Sequence, residues 1–363
     1  MLFISKRAFL TLLLISSFRI MEVFGQPITF TGKVVDVITK EPLAGVNIFL
    51  SSTSYGDASD SDGTFIFSMP KKGRFNLVVS FIGYKNVSIP LILNEPVTVY
   101  HLFELEEDVL NLDEIEVRSR KNRTWEKAYN DFKEFFLGRD EYAYFTKILN
   151  PTVLEFSWDK SQNMHSVSAS QPLLIQNNAM GYEVTVLLQE IEFNPRTNGG
   201  FYTVLPRFSE MAPPDTAKSK VWEFNRNQIY SGSSRHFFKT LSLGKLNESN
   251  FTILPDSSSI KPVQDSTRIK LYFPNDWEQI LKNYIAFHVP ERKFQVGYNL
   301  EYDKRGRVKN RNQISTISLK GISDLILVDH NGLLYNPAFV QFLGKWEADR
   351  FAKHLPIDFE LNE

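Results

Sequence analysis

The sequence predicts a mainly β chain: an N-terminal β-sandwich, then a larger antiparallel β-rich domain with two or three helices. Three observations lead there. Short alternating apolar runs, broken by Pro and Gly turns, fill residues 28–117. The period switches to helical just beyond them. From Asn150-Pro151 onward alternation returns, with turn sequences between the runs.

Met1 to Gly25 reads as a secretory leader, with Lys6 and Arg7 before the apolar run Ala8–Ile15 and a small residue, Gly25, at the cleavage position. The apolar run is far shorter than the ~20 residues of a membrane-spanning helix, so export with cleavage is expected and no transmembrane segment in the mature chain. The chain has 0 Cys, so neither lipid attachment through a cysteine nor a disulfide is available to it.

Residues 26–117 form the expected sandwich. Val46, Ile48 and Leu50 alternate with Asn47 and Phe49, and Phe75, Leu77, Val79 and Phe81 alternate with Asn76, Val78 and Ser80. Pro42 and Gly45 bracket a turn, Asp62-Gly63 is a hairpin signal, and Gly83-Tyr84 marks a bend. About seven strands, with Leu112–Val117 the last, fit two packed sheets. Residues 118–123 follow as a basic linker holding Arg118, Arg120, Lys121 and Arg123.

Residues 124–363 make the second domain. Trp125, Ala128, Tyr129, Phe132, Phe135 and Phe136 lie on one face of a helix that Thr124 can begin and Gly138 can end. Leu154, Phe156 and Trp158 alternate along a strand; Tyr182, Val184, Val186 and Leu188 share a face. Ile191 and Phe193 are out of step with that face by one, which signals a β-bulge. A further strand carries Val296, Tyr298, Leu300 and Tyr302, and Asp303–Gly306 and Asp329–Gly332 read as turns. Helices are expected from Ser233 to about Leu243 and from Trp346 to about Leu355, and Met211–Ala217 as an exposed loop. With 30 Phe among 363 residues, both cores are expected to be aromatic-rich.

The phrases Ile28–Asp36, Glu41–Leu50, Ser61–Phe67, Phe75–Tyr84 and Leu112–Val117, in this order, resemble the carboxypeptidase-regulatory-like domain, a prealbumin-like sandwich common in cell-envelope proteins of Bacteroidota. Lys147–Phe156, Gln171–Asn177, Met180–Tyr182, Tyr230–Phe238 and the Gly344–Pro356 tail are similar to Bacteroidota proteins described only as carboxypeptidase-like regulatory domain-containing. The resemblance implies an accessory module at the cell envelope, periplasmic or associated with the outer membrane. It brings no assigned catalytic residues.

The formal net charge is −1, with 41 basic and 42 acidic residues interspersed, so nothing favours nucleic acid as a partner. His101-Leu-Phe-Glu104 fits the spacing of two zinc ligands, with His165, His236 or His288 as the third. On the strand expected there, His101 and Glu104 point to opposite faces, which argues for structure over metal. Asp57, Asp60 and Asp62 before Gly63 resemble half of a calcium loop, but are read as solvating a turn. Ser231, Ser233 and Ser234 near His236 fit a helix start better than a triad. Asp276 and Glu278 flank Trp277 in the manner of a glycosidase pair, a spacing that arises readily by chance. The interrupting helices and charges also argue against an outer-membrane barrel.

No catalytic, cofactor-binding or metal residue and no cofactor is therefore assigned. The expected function is a non-catalytic cell-envelope binding or structural module that contacts a glycan or an envelope protein; Trp158, Trp222 and Trp277 are candidate contacts, though each is read first as a core residue. Two rivals stay open: an envelope glycosidase or peptidase built from distant residues, and a soluble partner of a TonB-dependent transporter, which the Leu112–Val117 exit resembles.

Overall fold

A computed structural model describes residues 27–108, 123–254, 260–263, 265–301 and 307–361. The first unit has seven strands: β1 (Ile28–Asp36), β2 (Asn47–Leu50), β3 (Gly56–Ala58), β4 (Thr64–Met69), β5 (Gly73–Ser80), β6 (Val87–Leu93) and β7 (Thr98–Leu105). One sheet has the order β4-β1-β7 with β1 and β7 parallel; the other has the order β3-β2-β5-β6. Their facing sides bury Phe30, Val34, Ile48, Leu50, Phe67, Leu77 and Val79, the inward positions that alternation requires. The expected last strand, Leu112–Val117, and most of the basic linker lie outside the described residues. So do the Met1–Gly25 leader, Tyr302 and the Asp303–Gly306 turn.

Helix α1 (Arg123–Leu137) starts one residue before Thr124, and Gly138 ends it with φ +105°. Its Phe132, Phe135 and Phe136 are fully buried. They pack on a six-stranded antiparallel sheet of β8 (Thr146–Ile148), β9 (Leu154–Asp159), β10 (Met164–Ala169), β11 (Leu173–Asn177), β12 (Tyr182–Asn194) and β13 (Gly199–Glu210). The expected bulge is present: the β12–β13 register shifts between Leu188 and Glu190, which returns Ile191 and Phe193 to the core.

The rest of the chain builds a second core under α4 (Ser234–Ser242). Its Phe237, Phe238 and Leu241 meet Phe251, Phe294, Val296 and Trp346 of the four-stranded sheet β14 (Phe251–Leu254), β17 (Lys293–Tyr298), β18 (Ile314–Leu319) and β20 (Val340–Gly344). A smaller sheet, β15 (Lys261–Pro262), β16 (Ile285–His288) and β19 (Leu325–Val328), carries the short helices α5 (Ser266–Tyr272) and α6 (Trp277–Asn283). Mainly β architecture with antiparallel sheets is as expected, and among the described residues none of the five sheets closes into a barrel.

Four expectations are corrected. Helices are more numerous: α2 (Glu141–Tyr144), α3 (Thr216–Tyr230), α5 and α6 add to the expected set. α3 buries only Trp222 and Tyr230 and so lacks an apolar stripe; Asp215, which caps it through Lys218 N, places its start inside the expected loop. The strand through Val296 ends at Tyr298, because Asn299 turns into the left-handed region (φ +49°) and Leu300 folds back over Gly297. The helix expected from Trp346 is two 3-10 turns, Lys345–Ala348 and Phe351–Lys353, separated by extended backbone at Asp349 and Arg350.

The outer face of the β2–β5 sheet is covered. Phe49 and Val78, the positions out of phase with the sandwich core, are buried against Leu187 and Leu205 of β12 and β13. Ser52 N donates to Pro206 O at 2.6 Å and Phe208 N to Thr53 O at 3.0 Å. The C-terminal tail completes the joint: Ile357 N donates to Ser52 O at 2.7 Å, and Asp358 accepts from Ser54 N and Oγ. Arg235 anchors this tail, donating to Pro356 O at 2.6 Å and Phe359 O at 2.7 Å.

Candidate functional site

A pocket of about 460 Å³ opens where the sandwich, α4 and the β19 turn converge. The start of β5 supplies Arg74 and Phe75, and the second unit supplies Phe238, Tyr284, Asp329 and Tyr335. The volume lies within the ~300–1,000 Å³ typical of small-ligand clefts. It sits at a joint between units, where such clefts recur.

Asp329 is built into the Asp329–Gly332 turn that the sequence signals. Its Oδ1 accepts from Asn331 N and Leu333 N, both at 2.8 Å, and Gly332 takes φ +79°. The residue is 3% exposed, and its Oδ2 has no hydrogen-bond partner among the described residues. Burial raises the pKa of this carboxyl, against the lowering effect of the turn's backbone donors. Asn331 Nδ2 donates to Lys72 O at 2.7 Å, which ties the turn to the sandwich. Gly73 makes that approach possible: a Cβ there would lie 2.8 Å from Asn331 Nδ2 and 3.5 Å from Asp329 Oδ2, at φ +140°.

Two tyrosines and a guanidinium also line the pocket. Arg74 lies 5.5 Å from the centroid of the Tyr335 ring. Burial raises the Tyr284 pKa, with the Asp329 charge adding to it, while Arg74 acts to lower it. Tyr335 donates its hydroxyl to Asp276 Oδ2 at 2.8 Å. The lining holds the Asp329 carboxyl, two guanidinium groups, Arg74 and Arg235, and aromatic and apolar walls. The described lining contains one carboxylate.

The residues that sequence motifs single out lie elsewhere. His101 stacks on Phe103 at 5.4 Å, whereas Glu104 turns outward to Lys40 at 2.9 Å, so the two do not converge. His165 stacks on Phe193, His236 Nδ1 accepts from Gly232 N at 3.1 Å, and His288 Nε2 meets Asp324 Oδ2 at 3.1 Å. Among the described residues no three metal-ligating side chains cluster. Asp60 accepts from Asp62 N, Thr64 N and Thr64 Oγ1, and Asp57 Oδ2 from Ile66 N, so these carboxylates serve their own turn. Burial lowers the His236 pKa to about 4, with Lys239 adding to the effect. Ser233 Oγ accepts from His236 N as the α4 cap and does not face the ring as a nucleophile would.

The aromatics divide. Trp222 is 4% exposed and packs over Gly181, a core role, while Trp158 is 45% exposed. Trp277 lies beneath Lys270, whose Nζ is 4.0 Å from the ring centroid. Sequence reasoning missed Arg74, Tyr284 and Tyr335 altogether; of the pocket, only the Asp329 turn carried a local signal.

The CarboxypepD_reg-like domain model matches residues 30–117. The TonB-dependent receptor SusC of Bacteroides thetaiotaomicron is 36% identical over 108 residues, 30% of this chain and 10% of the receptor. The chain thus matches a tenth of that relative's length. A protein described as carbohydrate binding from Bacteroides uniformis is 7% identical over 84% of this chain and 100% of its own, with a TM-score of 0.20. A type II cohesin–X–dockerin complex of Acetivibrio cellulolyticus is 16% identical over 22% of this chain and 58% of that one, with a TM-score of 0.19. Structural likenesses at these scores carry no functional argument. The family match identifies the N-terminal sandwich as a carboxypeptidase-regulatory-like domain, carried by a chain of 363 residues.

Proposed function

We propose that this chain is a non-catalytic binding module of the cell envelope, exported by the Met1–Gly25 leader, that holds a glycan or an envelope protein at the joint between its sandwich and its second unit. The supporting observation is the joint pocket, lined by Arg74 of the sandwich and by Tyr284, Asp329 and Tyr335 of the second unit. Glycoside hydrolysis by the usual route uses two carboxyl groups flanking the bond. Asp329 is the sole carboxylate among the described residues that line this pocket. The test is calorimetric titration of the mature protein with envelope-derived and plant-derived oligosaccharides, run beside an assay for new reducing ends. Saturable binding without turnover is expected; turnover of any oligosaccharide would move the chain to the hydrolase class.

A second reading rests on the similarity to SusC: the module works as a soluble partner of a TonB-dependent transporter. Affinity capture of a SusC-type receptor from solubilised outer membranes by the tagged mature chain tests it. Recovery of that receptor at a saturable, competable level is the expected result on this reading, and loss of the signal on competition with untagged protein is required.

A further inference from the structure

We infer that the joint binds an acidic saccharide, built from uronic-acid units, with one carboxylate held by Arg74; this deepens the binding-module reading and rests on it. A second cleft of about 280 Å³ adjoins the first and shares Arg74, Tyr284 and Asp329 with it. Lys72 and Lys282 line this neighbour. Across the two clefts four permanent cations, Arg74, Arg235, Lys72 and Lys282, stand against the carboxyls of Asp329 and Glu95. The whole chain has a formal net charge of −1, so this basic excess is local.

The two carboxyls leave that excess in place. None of the four cations forms an ion pair among the described residues. Asp329 is 3% exposed and its Oδ1 accepts from two backbone N–H groups, so it supports its own turn and lies out of a ligand's reach. Arg235 gives its guanidinium to the tail carbonyls of Pro356 and Phe359 and contributes charge rather than contact. Arg74 is exposed, with the Tyr335 ring centroid 5.5 Å away to steady its planar fork. That fork matches a carboxylate through two parallel N–H···O bonds.

The surroundings select among anions. A phosphate monoester concentrates a charge of about −1.5 to −2 in one group. The cations here are spread along two clefts, which suits single charges repeated along a chain. An acidic peptide has no strand to join, because β5, which carries Arg74, is already paired with β2 and β6. The first cleft, at about 460 Å³, adds the polar side chains of Ser52, Asn76 and Tyr284 and the apolar faces of Phe238 and Leu334. Such a lining suits the hydroxyls and C–H faces of a sugar ring.

Arg74→Gln is the discriminating variant, since it removes the charge from an exposed position. Lys160→Gln, in the exposed β9–β10 turn, is the control. The probes are the trimers of galacturonic and mannuronic acid, with galactotriose and mannotriose as neutral counterparts and triglutamate as the acidic peptide. Each is titrated into the mature protein by calorimetry, at low and at physiological salt, and thermal melting checks the fold of each variant. Saturable binding of at least one acidic trimer is expected, tighter than its neutral counterpart and weaker in salt. Arg74→Gln should weaken it about 10-fold or more, Arg74→Lys should restore only part, and Lys160→Gln should change nothing. If Arg74→Gln melts early, the double variant Lys72→Gln/Lys282→Gln, at two exposed positions, replaces it and should weaken binding about 3-fold.

Four results would overturn the inference: neither acidic trimer binds, a neutral counterpart binds as tightly, triglutamate binds as tightly, or the affinity is indifferent to these cleft variants. If a neutral oligosaccharide or a receptor binds with its affinity unaltered by Arg74→Gln, the binding-module reading stands and only this assignment fails. If nothing from the envelope binds at all, the broader reading fails with it.

Discussion

Replacing Arg235 by Gln should loosen the clasp that holds the sandwich to the rest of the chain. The guanidinium makes short bonds to Pro356 O (2.6 Å) and Phe359 O (2.7 Å), and it lies 4.8 Å from the centroid of the Tyr230 ring. Hydrogen bonds to a charged donor contribute about 1.5–3 kcal/mol each. Water can replace part of that once the tail lifts, so a net loss of about 3 kcal/mol is expected. The tail contacts then at risk are Ile357 N to Ser52 O and the Asp358 bonds to Ser54. The Glu360 pairs with Lys71 and Lys239 add little, because Glu360 is 58% exposed. At about 2 °C per kcal/mol, the lower end for larger units, the melting temperature should fall by roughly 6 °C. Hydrogen exchange at the Ile357 amide should accelerate before exchange in the β12–β13 ladder does. Arg235→Lys should recover only part of the loss, since one ammonium cannot reproduce the planar fork. A variant that melts within about 1 °C of the parent with the Ile357 amide still protected would refute the clasp.

Other consequences can be measured. Gly181→Ala should destabilise by about 3 kcal/mol in chemical denaturation, since Gly181 has φ +71° and a Cβ would meet Trp222 Cε3 at 2.2 Å. Stability should fall between pH 6.5 and about 4, where burial holds the pKa of His354 and of His236. The unfolded chain takes up these protons first, so the folded state is favoured above 6.5 and progressively less below. Removing this penalty with His354→Gln should flatten the slope by about 2 kcal/mol over that range, allowing for the part of the ring that meets water. Burial pushes the carboxyls of Asp329 and Asp349 up, which acts in the opposite sense and makes the histidine variants the necessary controls.

Side-chain spacing was enough wherever an element faces a single core. The α1 face, the sandwich alternation and the β12 bulge each follow from it. The failures have a common cause. Helix α3 buries Trp222 and Tyr230 but shows no stripe, because it lies over the Asn178–Gly181 turn and not across a sheet: Trp222 Nε1 donates to Asn178 O, and Arg226 Nε to Met180 O. The Trp346 segment has helical apolar spacing, yet its second turn is held by a tertiary bond, Asn177 Nδ2 to Ala352 O at 2.8 Å, in a chain extended at Arg350. Spacing alone cannot register either tertiary demand.

The site was hidden for a stronger reason, and one part of it was nonetheless written in the chain. Arg74 of the sandwich meets Arg235, Tyr284, Asp329 and Tyr335 of the second unit only because the sandwich seats on that unit. That seating leaves a trace in strand composition. A strand covered on one face alternates apolar with polar, whereas β2 and β5 place Phe49 and Val78 on the face that should have met water. Both are buried, at 1% and 0% exposure, against Leu187 and Leu205. Apolar residues on both faces of these two strands thus predict a covered sheet, and the β3-β2-β5-β6 sheet is covered by β12 and β13. The opposite sheet, β4-β1-β7, keeps Ile66, Tyr100 and Leu102 outward and exposed, so apolar outward residues mark a contact only where the facing element is also in the chain. The pocket is therefore a feature of the joint and not of the sandwich alone, and a truncated sandwich would lose its Asp329 side entirely.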